Sequence, residues 1–190
     1  DSLQLTNPKI KYGVKTNPKK TGNPPNIQIA NLSLKNGQVG IKNKDWNHGD
    51  TVHFNDLSLN IEEFIYDSLI RVEFSHHLFK NLDISGSSLD YSLPDSLFKV
   101  HLDRYAYDHN QKSVELSNFR LIPIYNRGEF QNQVKYQQDW FDGSVKKITM
   151  NGFEIDSLIS NNLLRLKNLT IDELILDTHR DKRLPRESGV

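Results

Sequence analysis

Cysteine is absent from the 190 residues, alanine occurs twice (Ala30 and Ala106) and methionine once. Without cysteine there is no thiol nucleophile, zinc–thiolate site or disulfide framework. Alanine is the best helix former, so its scarcity argues against a helix-rich fold. Net charge is missing too: 24 Lys and Arg face 24 Asp and Glu, and a general nucleic-acid binder needs a basic field. No apolar run approaches the roughly 18 residues of a membrane-spanning helix. Nor does the chain contain a Gly-x-Ser-x-Gly elbow, a P-loop or a Gly-x-Gly-x-x-Gly turn, the short motifs that position a nucleophile or a phosphate. Its many carboxylates, among them Glu62, Glu63, Asp90, Asp95, Asp103 and Asp108, are scattered among polar stretches. Acid–base catalysis needs two of them in one pocket, so no enzyme and no cofactor is expected.

What is abundant is Leu (23), Asn (19) and Ile (15). Asn favours turns over helix interiors, so the chain reads as β-rich with many turns. Six short stretches repeat one pattern: apolar, any, Asn/Asp/Gly, Leu/Phe, any, Leu/Ile. They are 29–34, 54–59, 79–84, 116–121, 150–155 and 166–171. Five have a further apolar residue two positions upstream (Ile27, Val52, Val114, Ile148, Leu164), which makes the unit apolar at i, i+2, i+5 and i+7. Alternation has period two, so a gap of three throws the second pair onto the opposite face of a strand. One extra, bulged residue restores it to the same face. The position before the second pair is Asn31, Asp56, Asn81, Asn118, Gly152 or Asn168, residue types that accept left-handed backbone. The unit therefore reads as a strand bulged at its middle, or as two short strands joined by a tight turn at the Asn.

The fold expected is mainly β: a curved, repetitive, largely antiparallel sheet with bulged strands and at most one or two short helices. The regular 25-residue steps between the first three copies leave a right-handed parallel β-helix as the alternative. Helical stretches are weak: part of 57–70, the segment 126–139 with Phe130 and Val134 at i and i+4, and one turn at 156–162 capped by Asp156. Pro94 and Pro123 fit strand ends, because proline donates nothing to a ladder. The chain divides into an exposed N-terminal strand and loop (1–26), a β-rich repeat domain (27–178) and a polar C-terminal tail (179–190). Asp1-Ser-Leu-Gln-Leu5 echoes Asp172-Glu-Leu-Ile-Leu176, as if a large unit began again, so the chain reads as a segment of a longer protein.

Seven histidines invite a metal reading. His76 and His77 would point to opposite faces of a strand, and no His-x-x-x-His pair is present. His101 and His109 flank Asp103 and Asp108, a cluster only if 103–110 turns back. No metal site is expected. The basic stretch His179-Arg-Asp-Lys-Arg-Leu-Pro-Arg186 suits an anionic lipid or partner, or a plain linker. Asn31-Leu-Ser and Asn168-Leu-Thr match the glycosylation sequon, a short pattern common by chance.

The repeats together with the C-terminal third resemble AsmA/TamB-type envelope proteins, particularly the large versions of Bacteroidetes. The residues that carry the resemblance are 55–68 (NDLSLNIEEFIYDS), 116–125 (LSNFRLIPIY), Glu129-Phe130 with Val134 to Gln137, and Ile171 to Leu176 followed by Arg180-Asp-Lys-Arg-Leu-Pro185. The resemblance implies a non-enzymatic, periplasmic protein. It would be anchored to a membrane through a segment outside these residues and act in lipid transport or outer-membrane maintenance. Its partners would be phospholipid or another envelope lipid, and other envelope proteins. On this view the second-pair residues Leu57, Leu59, Leu82, Ile84, Phe119, Leu121, Phe153, Ile155, Leu169 and Ile171 contact lipid, although the same face is simply the core in any sandwich. Two other functions stay open. One is a β-solenoid module for carbohydrate or adhesion, with Tyr105, Tyr107, Trp140 and Phe141 stacking on sugars. The other is a structural interaction domain.

Overall fold

A computed structural model of the chain describes residues 2–14, 27–43, 51–66, 79–93 and 97–186. Alternating Leu, Ile and Val between polar residues build one nine-stranded sheet that is not closed on itself. The strands are β1 (Ser2–Thr6), β2 (Lys9–Val14), β3 (Ile27–Asn43), β4 (Thr51–Tyr66), β5 (Asn81–Ser92), β6 (Phe98–Asp108), β7 (Ser113–Pro123), β8 (Asp139–Asn151) and β9 (Asn168–Arg180). From β3 to β9 they form an antiparallel meander in chain order, while β1 and β2 lie end to end against β3 in parallel. This is the expected architecture. It excludes the parallel β-helix, because β3 to β9 pair antiparallel in one sheet.

The helices are short: α1 (Arg127–Phe130), one turn, and α2 (Ile155–Asn161). Asn126 caps α1 by accepting from the backbone N–H groups of Gly128 and Glu129, each at 3.0 Å. The cap of α2 differs from expectation. Glu154, not Asp156, occupies the position, and its side chain accepts from the Ser157 hydroxyl at 2.9 Å in place of a backbone N–H. The 57–70 stretch is strand as far as Tyr66, since its early residues alternate strictly. Pro123 closes β7, as its missing N–H requires; Pro94, His76 and His77 lie outside the described residues.

Each long strand skips three between two inward apolar residues: Leu34 to Gly37, Phe54 to Leu57, Gly86 to Leu89, Leu102 to Tyr105, Leu116 to Phe119, Val145 to Ile148 and Ile171 to Leu174. Asn36, Asp56, Ser88, Asn118 and Glu173 take left-handed backbone within these gaps. From β4 to β9 the gaps fall at one level, so the sheet is bent along a line that crosses its strands. Of the six positions expected to be left-handed, Asp56 and Asn118 are so inside a strand, and Gly152 is so where β8 ends. Asn31, Asn81 and Asn168 are not. Asn81 and Asn168 begin strands, and beside Asn31 it is Glu63 of β4 that takes the left-handed turn.

Candidate functional site: an apolar strip between two clusters

Because the bulges preserve alternation, apolar residues line up across the sheet. One row runs Leu34, Leu59, Ile84, Tyr107, Val114, Met150, Leu169 in cross-strand register. The next holds Leu57, Gly86, Tyr105, Leu116, Ile148 and Ile171. A third, beyond the bulges, holds Val39, Phe54, Leu89, Leu102, Phe119, Val145 and Leu174.

Two clusters stand at the ends of this face. At one, Phe79 and Phe153 close over Ile61, Leu82 and Tyr107, with Ile155 of α2 and much of the first row packed alongside. At the other, Leu97, Phe98, Phe130 and Trp140 bury one another, with Tyr125, Val134 and Leu121 against them. The Trp140 indole N–H donates to the Tyr125 carbonyl at 2.9 Å, and the Arg127 guanidinium lies over the ring, 4.9 Å from its centroid. The second and third rows lie between these clusters. In the middle of the sheet Leu102 and Val145 are buried and the others half-buried, while at β9 the rows open, with Ile171 48% and Leu174 60% exposed. No large side chain is completely enclosed among the described residues, as expected of a single layer with an apolar floor and two end walls.

Tyr105 lies in the floor. Its ring meets Phe54 edge-on at 5.9 Å and occupies the space that Gly86 leaves: a Cβ there would come 2.3 Å from the hydroxyl. That hydroxyl is buried without a hydrogen-bond partner among the described residues. Burial, with a smaller contribution from Asp56, pushes it up to about 12, so it stays neutral, and leaving it unpaired in the floor costs about 1–3 kcal/mol.

The opposite face is polar, and its bonds cluster along the bend. Ser87 donates to Asp56 at 2.6 Å, Asn118 to Asp103 at 2.7 Å, and Asn55 to the Ser88 carbonyl at 3.3 Å; Lys146 pairs with Glu173. His101 is held on both ring nitrogens, by Asp90 at 2.6 Å and Asp103 at 2.9 Å. These bonds, Asp90 first, raise its pKa above the usual 6.5. The His101/His109 cluster, conditional on 103–110 turning back, does not form, because 98–108 continues as strand β6 and His109 instead meets Tyr107 and Phe79. Among the described residues no three metal-ligating side chains converge. An open trough of about 720 Å³ on this face is floored by small and polar side chains, including Ser33, Ser58, Ser85 and Ala106.

The basic C-terminal stretch is partly strand and partly strap. His179 and Arg180 finish β9, with Arg180 on Asp139. Beyond it the Gln137 amide donates to the carbonyls of Lys182 (3.2 Å) and Leu184 (2.7 Å), and Arg183 reaches Gln131. Arg183 also holds the Asp181 carboxyl down to about 2. The strap thus braces the loop that carries Phe130.

Of the ten residues expected to contact lipid, eight lie on the apolar face and two do not. Leu57, Ile171 and Phe119 stand in the open rows, and Leu169 at their exposed edge. Leu59 and Ile84 pack against the first cluster, Leu82 is buried in it, and Leu121 packs against the second. Phe153 and Ile155 leave the sheet after Gly152 and form the first wall. Tyr105, Leu116, Ile148 and Leu174 share the strip; of these the sequence placed only Leu116 and Ile148 in the repeated unit, in its first apolar pair, and singled out Tyr105 for sugar stacking alone. Of the residues considered for sugar stacking, Tyr107 and Trp140 are buried.

No family model, curated protein or solved structure matches this chain. The apolar strip is therefore judged on its own chemistry. No helix among the described residues is long and apolar enough to cross a membrane.

Proposed function

We propose that the strip is a seat for a lipid acyl chain, in an AsmA-like, non-enzymatic protein of the bacterial envelope. The observation that carries this is the floor between the two clusters, apolar from β3 to β9 and free of charged side chains. Strands lie about 4.8 Å apart, so seven of them span roughly 30 Å. The chains of one bilayer leaflet occupy about 15 Å, so an acyl tail fits lengthwise across the strands. Each methylene removed from water contributes about 0.8 kcal/mol, enough to hold a tail without a polar anchor. A periplasmic location, a membrane anchor outside these residues and lipid transport or outer-membrane maintenance follow from the family resemblance.

Native mass spectrometry of the delipidated chain mixed with phospholipid tests the reading. One bound lipid per chain, lost in Leu116→Asp but kept in Ser85→Asp on the polar face, is the expected result. Absence of any lipid adduct, or equal loss in both variants, would refute it. The carbohydrate alternative loses the solenoid it rested on.

A further inference from the structure

The last strand is an edge of unusual openness. All thirteen residues of β9 are exposed, with Leu174, Ile175 and Leu176 at 60%, 69% and 55%. It contains neither Lys nor Pro, the devices that normally blunt an edge against strand addition. At the other end of the sheet, β1 and β2 form a second edge that runs in the same direction as β9, because both are parallel to β3. The two edges share one pattern. Residues 3, 5, 8 and 10 are Leu, Leu, Pro and Ile, with left-handed Asn7 in the gap; residues 169, 171, 174 and 176 are Leu, Ile, Leu and Leu, with left-handed Glu173 in the gap. Charge is complementary as well: 2–14 carries Lys9 and Lys11 and no acid, whereas β9 carries Asp172, Glu173 and Asp177 against Arg180.

We infer that a second copy of this chain lays its 2–14 edge beside β9, parallel and with Asn7 next to Glu173. That register sets Leu5 beside Ile171 and Lys11 beside Asp177, and carries both the bend and the apolar strip across the junction. The contact is heterologous, so copies add head to tail. Antiparallel pairing of β9 with its own copy about residues 172–173 is disfavoured, because it sets Asp172 of each copy against Glu173 of the other. The echo between Asp1–Leu5 and Asp172–Leu176 is not structural equivalence: Leu3 and Leu5 precede the bulge, whereas Leu174 and Leu176 follow it. The inference stands apart from lipid binding.

The cysteine-free chain permits a direct test. Single-cysteine variants Gln4→Cys and Thr170→Cys, mixed under a mild thiol oxidant, are expected to give the mixed disulfide as the main product. Neighbouring strands place Cα atoms about 4.8 Å apart, within disulfide reach. Lys9→Cys with Ile175→Cys is a second pair in the same register, in case one substitution disturbs folding. A synthetic 1–14 peptide should compete, lowering the yield severalfold. The inference is overturned if both mixtures remain uncrosslinked while circular dichroism shows folded protein, or if Thr170→Cys and Ile175→Cys dimerise with themselves in preference.

Discussion

At the residue scale, the left-handed positions in the strands are filled mostly by polar residues and not by glycine, and the structure shows what their side chains add. Asp56 accepts from Ser87, Asn118 donates to Asp103, Glu63 accepts from Lys80 and Glu173 from Lys146, so these four positions are clasped to a neighbour. Left-handed backbone costs an ordinary L-residue about 1–2 kcal/mol, and Asn offsets part of that with its local bond. Asn118→Ala should therefore destabilise by about 1–2 kcal/mol in urea unfolding and Asn118→Gly by less; equal losses would show that the backbone conformation is not the cause. His101 adds a pH dependence. Its raised pKa means that the stabilisation is complete below 6.5 and declines as pH rises through the folded value, because the protonated ring is what Asp90 and Asp103 hold. The urea midpoint should fall as pH rises above 6.5, and that fall should be lost in His101→Gln. The bulge at Asp56 and Asn118 was legible because a gap of three interrupts an otherwise strict alternation. Ser88 and Glu173 were not, since neither residue type favours the left-handed region and the interruption lay outside the repeated hexapeptide.

At the element scale, strand existence and a largely antiparallel sheet were legible from alternation between turn residues, whereas the strand order and the roles of the covering segments were not. Phe130 and Val134 at i and i+4 suggest a helix over 126–139, yet only one turn forms. Their shared side is used instead by an irregular loop that packs both onto the second cluster. Phe153 and Ile155 fit the strand repeat in sequence, but Gly152 turns the chain out of the sheet, and they become a lid for the first cluster. Walls and floor should then respond differently to truncation. Phe153→Ala should cost about 3–5 kcal/mol, the usual loss for a buried aromatic. Ile171→Ala, half exposed at the edge, should cost about 1 kcal/mol or less. Chemical denaturation of the two variants measures the difference, and equal costs would mean that the strip is packed as tightly as the walls. The strap responds locally: Gln137→Ala should speed amide exchange in 181–186 while leaving that of β6 and β7 unchanged.

At the scale of the whole molecule, the low apolar content suits one layer with a single greasy face. No thick core is needed, and the bends keep that face continuous. Residue pattern alone could show that such a face exists; it could not show that its two ends are covered and its middle less so, because Phe79 and Phe153 read in sequence as further strand positions and Leu97 and Phe130 follow no period. Gly86 is a sensitive point in that middle. Gly86→Val would displace the Tyr105 ring, and lipid affinity should change severalfold while the fold persists.

The most direct test of the strip is photolabelling. A long-chain fatty acid bearing a photoactivatable group is bound to the chain, irradiated and mapped by peptide mass spectrometry. Labels concentrated on Leu57, Tyr105, Leu116, Ile148 and Ile171 are what an acyl seat between the two clusters requires. Labels spread evenly over both faces, or gathered on the polar face around Ser58 and Ser85, would contradict it.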